Sequence, residues 1–157
     1  MRDLSEVLAS AQVIAVLGAH DAPARAAFYV PDYLHAMGYR ILPVNPMLVG
    51  RVLWGEPVVA RLTDLETPVD LVDVFRRSES LPDHLDEFLD MRPPPRTVWF
   101  QSGIRHDGVA RALEAAGLEV VQDRCTLAEH RARGLPPVSA SDPILFTERP
   151  RRSPRSE

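Results

Sequence analysis

The chain has 157 residues, a net charge of −4, 45% hydrophobic and 25% charged residues. These are the values of a soluble globular protein; they exclude disorder throughout, and no apolar run approaches the ~18 residues of a membrane span. All eighteen basic residues are arginine and the one cysteine is Cys125, which excludes a P-loop lysine, Schiff-base chemistry, an internal disulfide and a Cys-based zinc site.

The length suits one domain with a sizeable core. Met1 to Glu6 carries acids and no apolar stretch, so no secretory signal is read and the expected location is the cytoplasm. The last nine residues hold four arginines against one acid, leaving the rest more acidic than the whole. Phosphate neutralisation dominates nucleic-acid binding, so nucleic acid is not an expected partner.

Leu4 to Ser10 has helical spacing, with Asp3 or Ser5 as cap, and is expected to cover a sheet edge. Val13 to Leu17 is short, β-branched and uncharged, the pattern of a central parallel strand. A helix from about Ala24 to Met37 presents Ala27, Phe28, Val30, Tyr33, Leu34 and Met37. Pro31 predicts either a fresh start there or a kink, and Gly38 ends the helix. Tyr39 to Val44 reads as strand two, with Pro43 predicting a strand end or a broken ladder. Met47 to Pro57 reads as loop, Arg61 to Leu65 as a helical turn and Val69 to Phe75 as strand three.

Ser78 is expected to cap a helix from Glu79 to Asp90 whose apolar face is Leu81, Leu85, Phe88 and Leu89. Pro93 to Pro95 forms a linker into strand four, Thr97 to Phe100. Val109 to Ala116 is helical, Leu118 to Val121 is strand five, and Thr126 to Ala132 is a short helix. The domain is expected to span 1–133, with 134–157 a Pro- and Arg-rich tail that wraps the surface or is disordered. Strands alternating with helices predict an α/β, Rossmann-like, doubly wound parallel sheet of five strands.

In such sheets ligands sit beyond the carboxyl ends of the strands, at the point where strand order reverses. That rule selects Gly18 to Pro23, Asn45-Pro46, Phe75-Arg76, Gln101 to Gly103 and Cys125 as one rim. The turn after strand one fails the G-x-G-x-x-G spacing, since His20 and Pro23 stand at its second and third glycines. A dinucleotide clamp is therefore disfavoured, while a phosphate site at the helix N-terminus stays open. Strand two ends in neutral Asn45, where an NAD site wants a ribose-binding acid. Asn45 can donate to a ribose 3′-phosphate without repelling it, and Arg25, ahead of Arg51, supplies charge-assisted bonds. A His20 imidazole is expected to donate to a phosphate and to strengthen binding at lower pH. Asp70 and Asp73 fall on opposite strand faces, giving a strand-entry residue and a strand-end acceptor, not an acid/base pair. The five histidines are scattered, so no metal is expected.

The segments IAVLGAH, PVNP followed by Gly50, VDLVDVFR, VWFQSGI and DRC, in this order, resemble the CoA-binding domain family related to the first domain of the succinyl-CoA synthetase α-subunit, especially its stand-alone bacterial members. The resemblance spans roughly Val13 to Arg131. It implies coenzyme A across the strand ends, with Gly18, Ala19 and His20 as the phosphate-facing turn and Asn45-Pro46 beside the nucleotide. Val74, Phe75 and Arg76 would flank the adenine, Gln101, Ser102 and Gly103 would line the pantetheine path, and Cys125 would lie towards the thiol. A mixed disulfide between Cys125 and CoA is the sharper reading of that thiol; a Cys125–His130 pair is not established by a spacing of five. The expected function is a non-catalytic module that binds CoA or an acyl-CoA. The alternatives are a CoA-binding subunit acting with an ATP-grasp partner, and, least favoured, an NAD(P)-binding redox regulator.

Overall fold

Residues 13–17 bury side chains on alternate faces, and that alternation divides the molecule into layers. The computed structural model describes residues 1–138; the predicted tail beyond Val138 lies outside the described residues. Strand β1 (Val13–Leu17) sends Ile14 and Val16 to one apolar cluster and Ala15 and Leu17 to another. Strands β2 (Arg40–Val44), β5 (Leu71–Val74), β6 (Thr97–Phe100) and β7 (Glu119–Val121) join it in one parallel sheet of order β2-β1-β5-β6-β7. Helices α1 (Leu4–Ser10), α2 (Ala26–Ala36) and α5 (Thr126–Ala132) supply one cluster; α3 (Leu81–Asp90) and α4 (Asp107–Ala115) supply the other. Each fully buried Leu, Ile or Val contributes roughly 1.5–3 kcal/mol, so two such layers hold the sheet without a cross-link.

The departures from the sequence reading have local causes. Helix α1 lies on a face of the sheet, with Val7 and Leu8 buried and the Tyr39 hydroxyl donating to the Leu8 carbonyl, because its apolar pair is too large to leave on an edge. Asp3 caps it in a reciprocal box with Glu6. Pro43 sits inside β2 without breaking the ladder: β2 is the edge strand, and the Pro43 carbonyl faces outward to accept from the Val59 amide at 3.2 Å, so its missing N–H also faces outward. Ser78 does not cap α3; it opens a separate 3-10 turn, Ser78–Ser80, and its Oγ accepts from the Arg105 amide at 2.9 Å. Helix α4 starts at Asp107, where the His106 ring nitrogen takes the capping role and accepts from Val109. The stretch read as loop contains a small antiparallel hairpin, β3 (Val52–Leu53) and β4 (Glu56–Pro57).

Helix α2 runs through Pro31 without interruption. A helical proline removes the N–H that would bond the carbonyl four residues back. Here that carbonyl belongs to Ala27, and the backbone N–H of His20 donates to it at 3.2 Å. The group orphaned by Pro31 thus fastens the β1–α2 turn to the helix that follows it.

Candidate functional site

Strand order reverses between β1 and β5, and a cleft of about 640 Å³ opens there, beyond the carboxyl ends of β1, β5 and β6. Its wall begins at Gly18. The residue has φ +89°, and a Cβ built on it would lie 2.6 Å from the Phe75 carbonyl oxygen. Only glycine meets both demands, so the ends of β1 and β5 approach as closely as their backbones allow.

The amides of this turn are engaged internally. Gly18 and Ala19 donate to the Val44 carbonyl at 2.8 and 3.3 Å, and His20 donates to Ala27. Open donors begin one step later, at the first turn of α2. The amides of Ala26 and Ala27 have no acceptor among the described residues, Arg25 at the N-cap offers no side-chain cap, and all three residues line the cleft. A helix N-terminus with unsatisfied N–H groups attracts an anion through both its hydrogen bonds and its dipole.

Arg76 faces the same space from the end of β5. It is half-buried, has no ion-pair partner among the described residues, and its Nε is sealed from solvent without an acceptor. Burial lowers its pKa, opposed by the field of Glu87. A guanidinium left in this condition is costly unless a ligand anion completes it. The other charges on the wall are Arg25 and an Arg77–Glu79 pair at 3.9 Å, so the cleft is locally cationic within an acidic protein.

The rim read from the sequence is largely brought together: Gly18, His20, Arg25, Asn45, Phe75, Arg76, Gln101, Ser102, Gly103 and Cys125 all line the cleft. Three residues stand apart. Ala19 is buried behind the turn, Val74 is in the core, and Pro46 faces a second cavity of about 500 Å³ on the α3 side, into which Arg76 also reaches. Asn45 acts as a staple, its Nδ2 donating to the Ala19 carbonyl at 2.8 Å and its Oδ1 accepting from Met47 at 2.9 Å. Arg51 pairs with Asp21 and does not line the cleft. The Nδ1 of His20 accepts from the Ala22 amide at 3.0 Å, which fixes the proton on Nε2.

Cys125 is the half-buried N-cap of α5. His130, at the far end of that helix, is buried and bonded through Nδ1 to the Tyr33 hydroxyl at 2.9 Å, with burial lowering its pKa; the two do not form a nucleophile–base pair. Asp70 is the strand-entry residue expected of it, its Oδ2 accepting from the Gln12 and Val13 amides at 2.9 Å. Sequence reasoning missed Tyr29 and Ser78 on the wall. Tyr29 lies one turn beyond Arg25 on the same helix, a spacing of four that could have pointed to it.

The CoA binding domain family model matches residues 12–131. The uncharacterized protein YneT of Bacillus subtilis is 34% identical over 128 residues, which make up 82% of this chain and 92% of that protein. A solved Thermus thermophilus structure, cell-free ID.343, is 53% identical with a TM-score of 0.79, covering 82% of this chain and 95% of that one. A dinucleotide-forming acetyl-coenzyme A synthetase of Ca. Korarchaeum cryptofilum is 18% identical with a TM-score of 0.61. This last likeness covers 76% of this chain but 27% of the synthetase, and it is one of fold. Among the described residues no helix is long and apolar enough to cross a membrane.

Proposed function

The chain belongs to the CoA binding domain family, and from that premise we propose that it binds coenzyme A or an acyl-CoA in the β1/β5 cleft as a module with no chemistry of its own. The observation that carries the reading is the unpartnered Arg76 facing the open amides of Ala26 and Ala27. Together with Arg25 these groups fit the phosphates of the nucleotide, and Phe75 offers an aromatic face beside them. The neutral Asn45 at the end of β2 suits a ribose 3′-phosphate better than the free ribose of NAD. The absence of catalysis is supported by the wall itself: its titratable groups are arginines, a glutamate already paired, a tyrosine, a histidine with one nitrogen engaged, and a thiol without a base.

Parallel calorimetric titration with CoA, dephospho-CoA and NAD tests the proposal. CoA should bind most tightly and NAD not at all, and Arg25→Ala should erase the preference over dephospho-CoA. A hydrogen bond to a charged group is worth roughly 1.5–3 kcal/mol, so Arg76→Met should weaken CoA by about tenfold or more. Tighter binding of NAD, or no effect of Arg76→Met, would refute the reading.

A further inference from the structure

Beneath the cleft floor the sheet carries a carboxylate that takes no part in the cationic wall. Asp73, the third residue of β5, is fully buried, and both its oxygens are in use. Oδ1 accepts from Gln101 Nε2 at 2.5 Å and Oδ2 from the Thr126 hydroxyl at 2.9 Å. The oxygen of that hydroxyl in turn accepts from Gln101 Nε2 at 2.7 Å. With the Asp73 carboxyl ionised, Thr126 gives its only proton to it and can only receive from Gln101. Both amide protons of Gln101 therefore point inward.

What remains is the carbonyl. Among the described residues Gln101 Oε1 has no donor; it is not sealed from solvent and belongs to a residue that lines the cleft. A side-chain amide turned over by half a rotation keeps its shape but exchanges acceptor for donor, so its partners alone decide what it offers. Turned over here, the carbonyl would face the buried carboxylate and the threonine oxygen would lose its donor.

We propose that Asp73, acting with Thr126, is a positioning residue that holds the Gln101 carbonyl towards the cleft, so that the site selects a ligand carrying a secondary amide N–H. The wall around Arg25, Arg76 and the α2 amides offers donors, and Gln101 supplies the acceptor needed where the ligand changes from phosphate to amide. The inference rests on the CoA reading, since the pantetheine arm carries two such amides.

The test is a double-mutant cycle. Wild type, Gln101→Met, Thr126→Val and Asp73→Asn are titrated above pH 7, where the Asp73 carboxyl is ionised, with CoA, with two CoA analogues in which one or the other amide N–H is replaced by an ester oxygen, and with 3′-phosphoadenosine 5′-diphosphate, which lacks the arm. Wild type should prefer CoA over one analogue by about fivefold or more. The preference should fall below twofold in Gln101→Met and diminish in Thr126→Val and Asp73→Asn, with affinity for the arm-less nucleotide unchanged in all three. A structural role alone would alter every ligand equally. Equal binding of CoA and both analogues to wild type, or full discrimination surviving Thr126→Val and Asp73→Asn, would overturn the proposal. Failure of wild type to bind either CoA or the arm-less nucleotide would instead remove the ligand reading and this inference with it.

Discussion

Replacing Gly18 by alanine separates two costs that the structure assigns to the β1–β5 crevice. The first is conformational: an L-residue in the left-handed region costs about 1–2 kcal/mol. The second is steric. The new Cβ would stand 2.6 Å from the Phe75 carbonyl oxygen, a backbone atom that cannot swing away. Relief requires the ends of β1 and β5 to part, which strains the bond from the Phe75 amide to the Leu17 carbonyl, now 2.8 Å. Losing that bond costs about 1 kcal/mol, and the overpacking about 1–3 kcal/mol more. Gly117 provides the control: its φ is +93°, yet a Cβ there meets nothing within 4 Å. Gly117→Ala should therefore cost about 1–2 kcal/mol, and Gly18→Ala about 3–6 kcal/mol. For a chain of this size each kcal/mol moves Tm by roughly 2–4 °C. Thermal and urea unfolding followed by circular dichroism measure both variants. If Gly18→Ala destabilises no more than Gly117→Ala, the close approach at the crevice is not a constraint and the argument fails.

Burial pushes the Asp73 carboxyl up to about 7, against the Gln101 and Thr126 hydrogen bonds that lower it. The folded protein thus holds a proton that the unfolded chain releases near pH 4, so stability should fall as pH rises from about 4 to 7, by up to about 4 kcal/mol. Urea titrations across that range should show the slope in wild type and its loss in Asp73→Asn; an equal slope in both would refute the assignment. Glu119 behaves oppositely. The Arg2 side chain bonds it at 2.8–3.3 Å and holds its pKa down to about 2 against partial burial, so its contribution is present above about 4.5 and lost as pH falls through 2. Glu119→Gln should flatten that part of the acid-unfolding curve, and a curve left unchanged would contradict the pairing. Pro31→Ala restores an N–H that competes for the Ala27 carbonyl. Hydrogen exchange should quicken at the His20 amide without a fall in Tm, whereas unaltered protection of His20 would show that the proline does not serve the turn.

The sheet was legible because each strand is a short, mostly apolar run, with Asp73 of β5 the one acid inside a strand, and the rim followed from the rule that ligands sit at the carboxyl ends. The β3–β4 hairpin was hidden because its strands are two residues long and its turn is Trp54-Gly55, where a left-handed first position favours Asn or Asp. Trp54 is tolerated through contacts distant in sequence: its ring lies 5.5 Å from that of Phe28, and its indole N–H donates to Asp32 at 3.1 Å. That α2 makes no fresh start at Pro31 was hidden for the same reason, since the partner of the freed carbonyl is eleven residues away from the proline. At the site, residue types pointed to residues that line one cleft but not to which groups are already engaged. The turn amides, Asn45 and one nitrogen of His20 are taken up internally, and the Arg76 Nε and the α2 amides have no acceptor among the described residues. That division depends on distances no spacing rule contains.

A crystal structure of the chain grown with CoA decides where the nucleotide sits. Its phosphate oxygens are expected within hydrogen-bond reach of the Ala26 and Ala27 amides and of the Arg76 guanidinium. CoA density elsewhere on the molecule, or a cleft that stays empty at saturating CoA and fills with NAD, would contradict it.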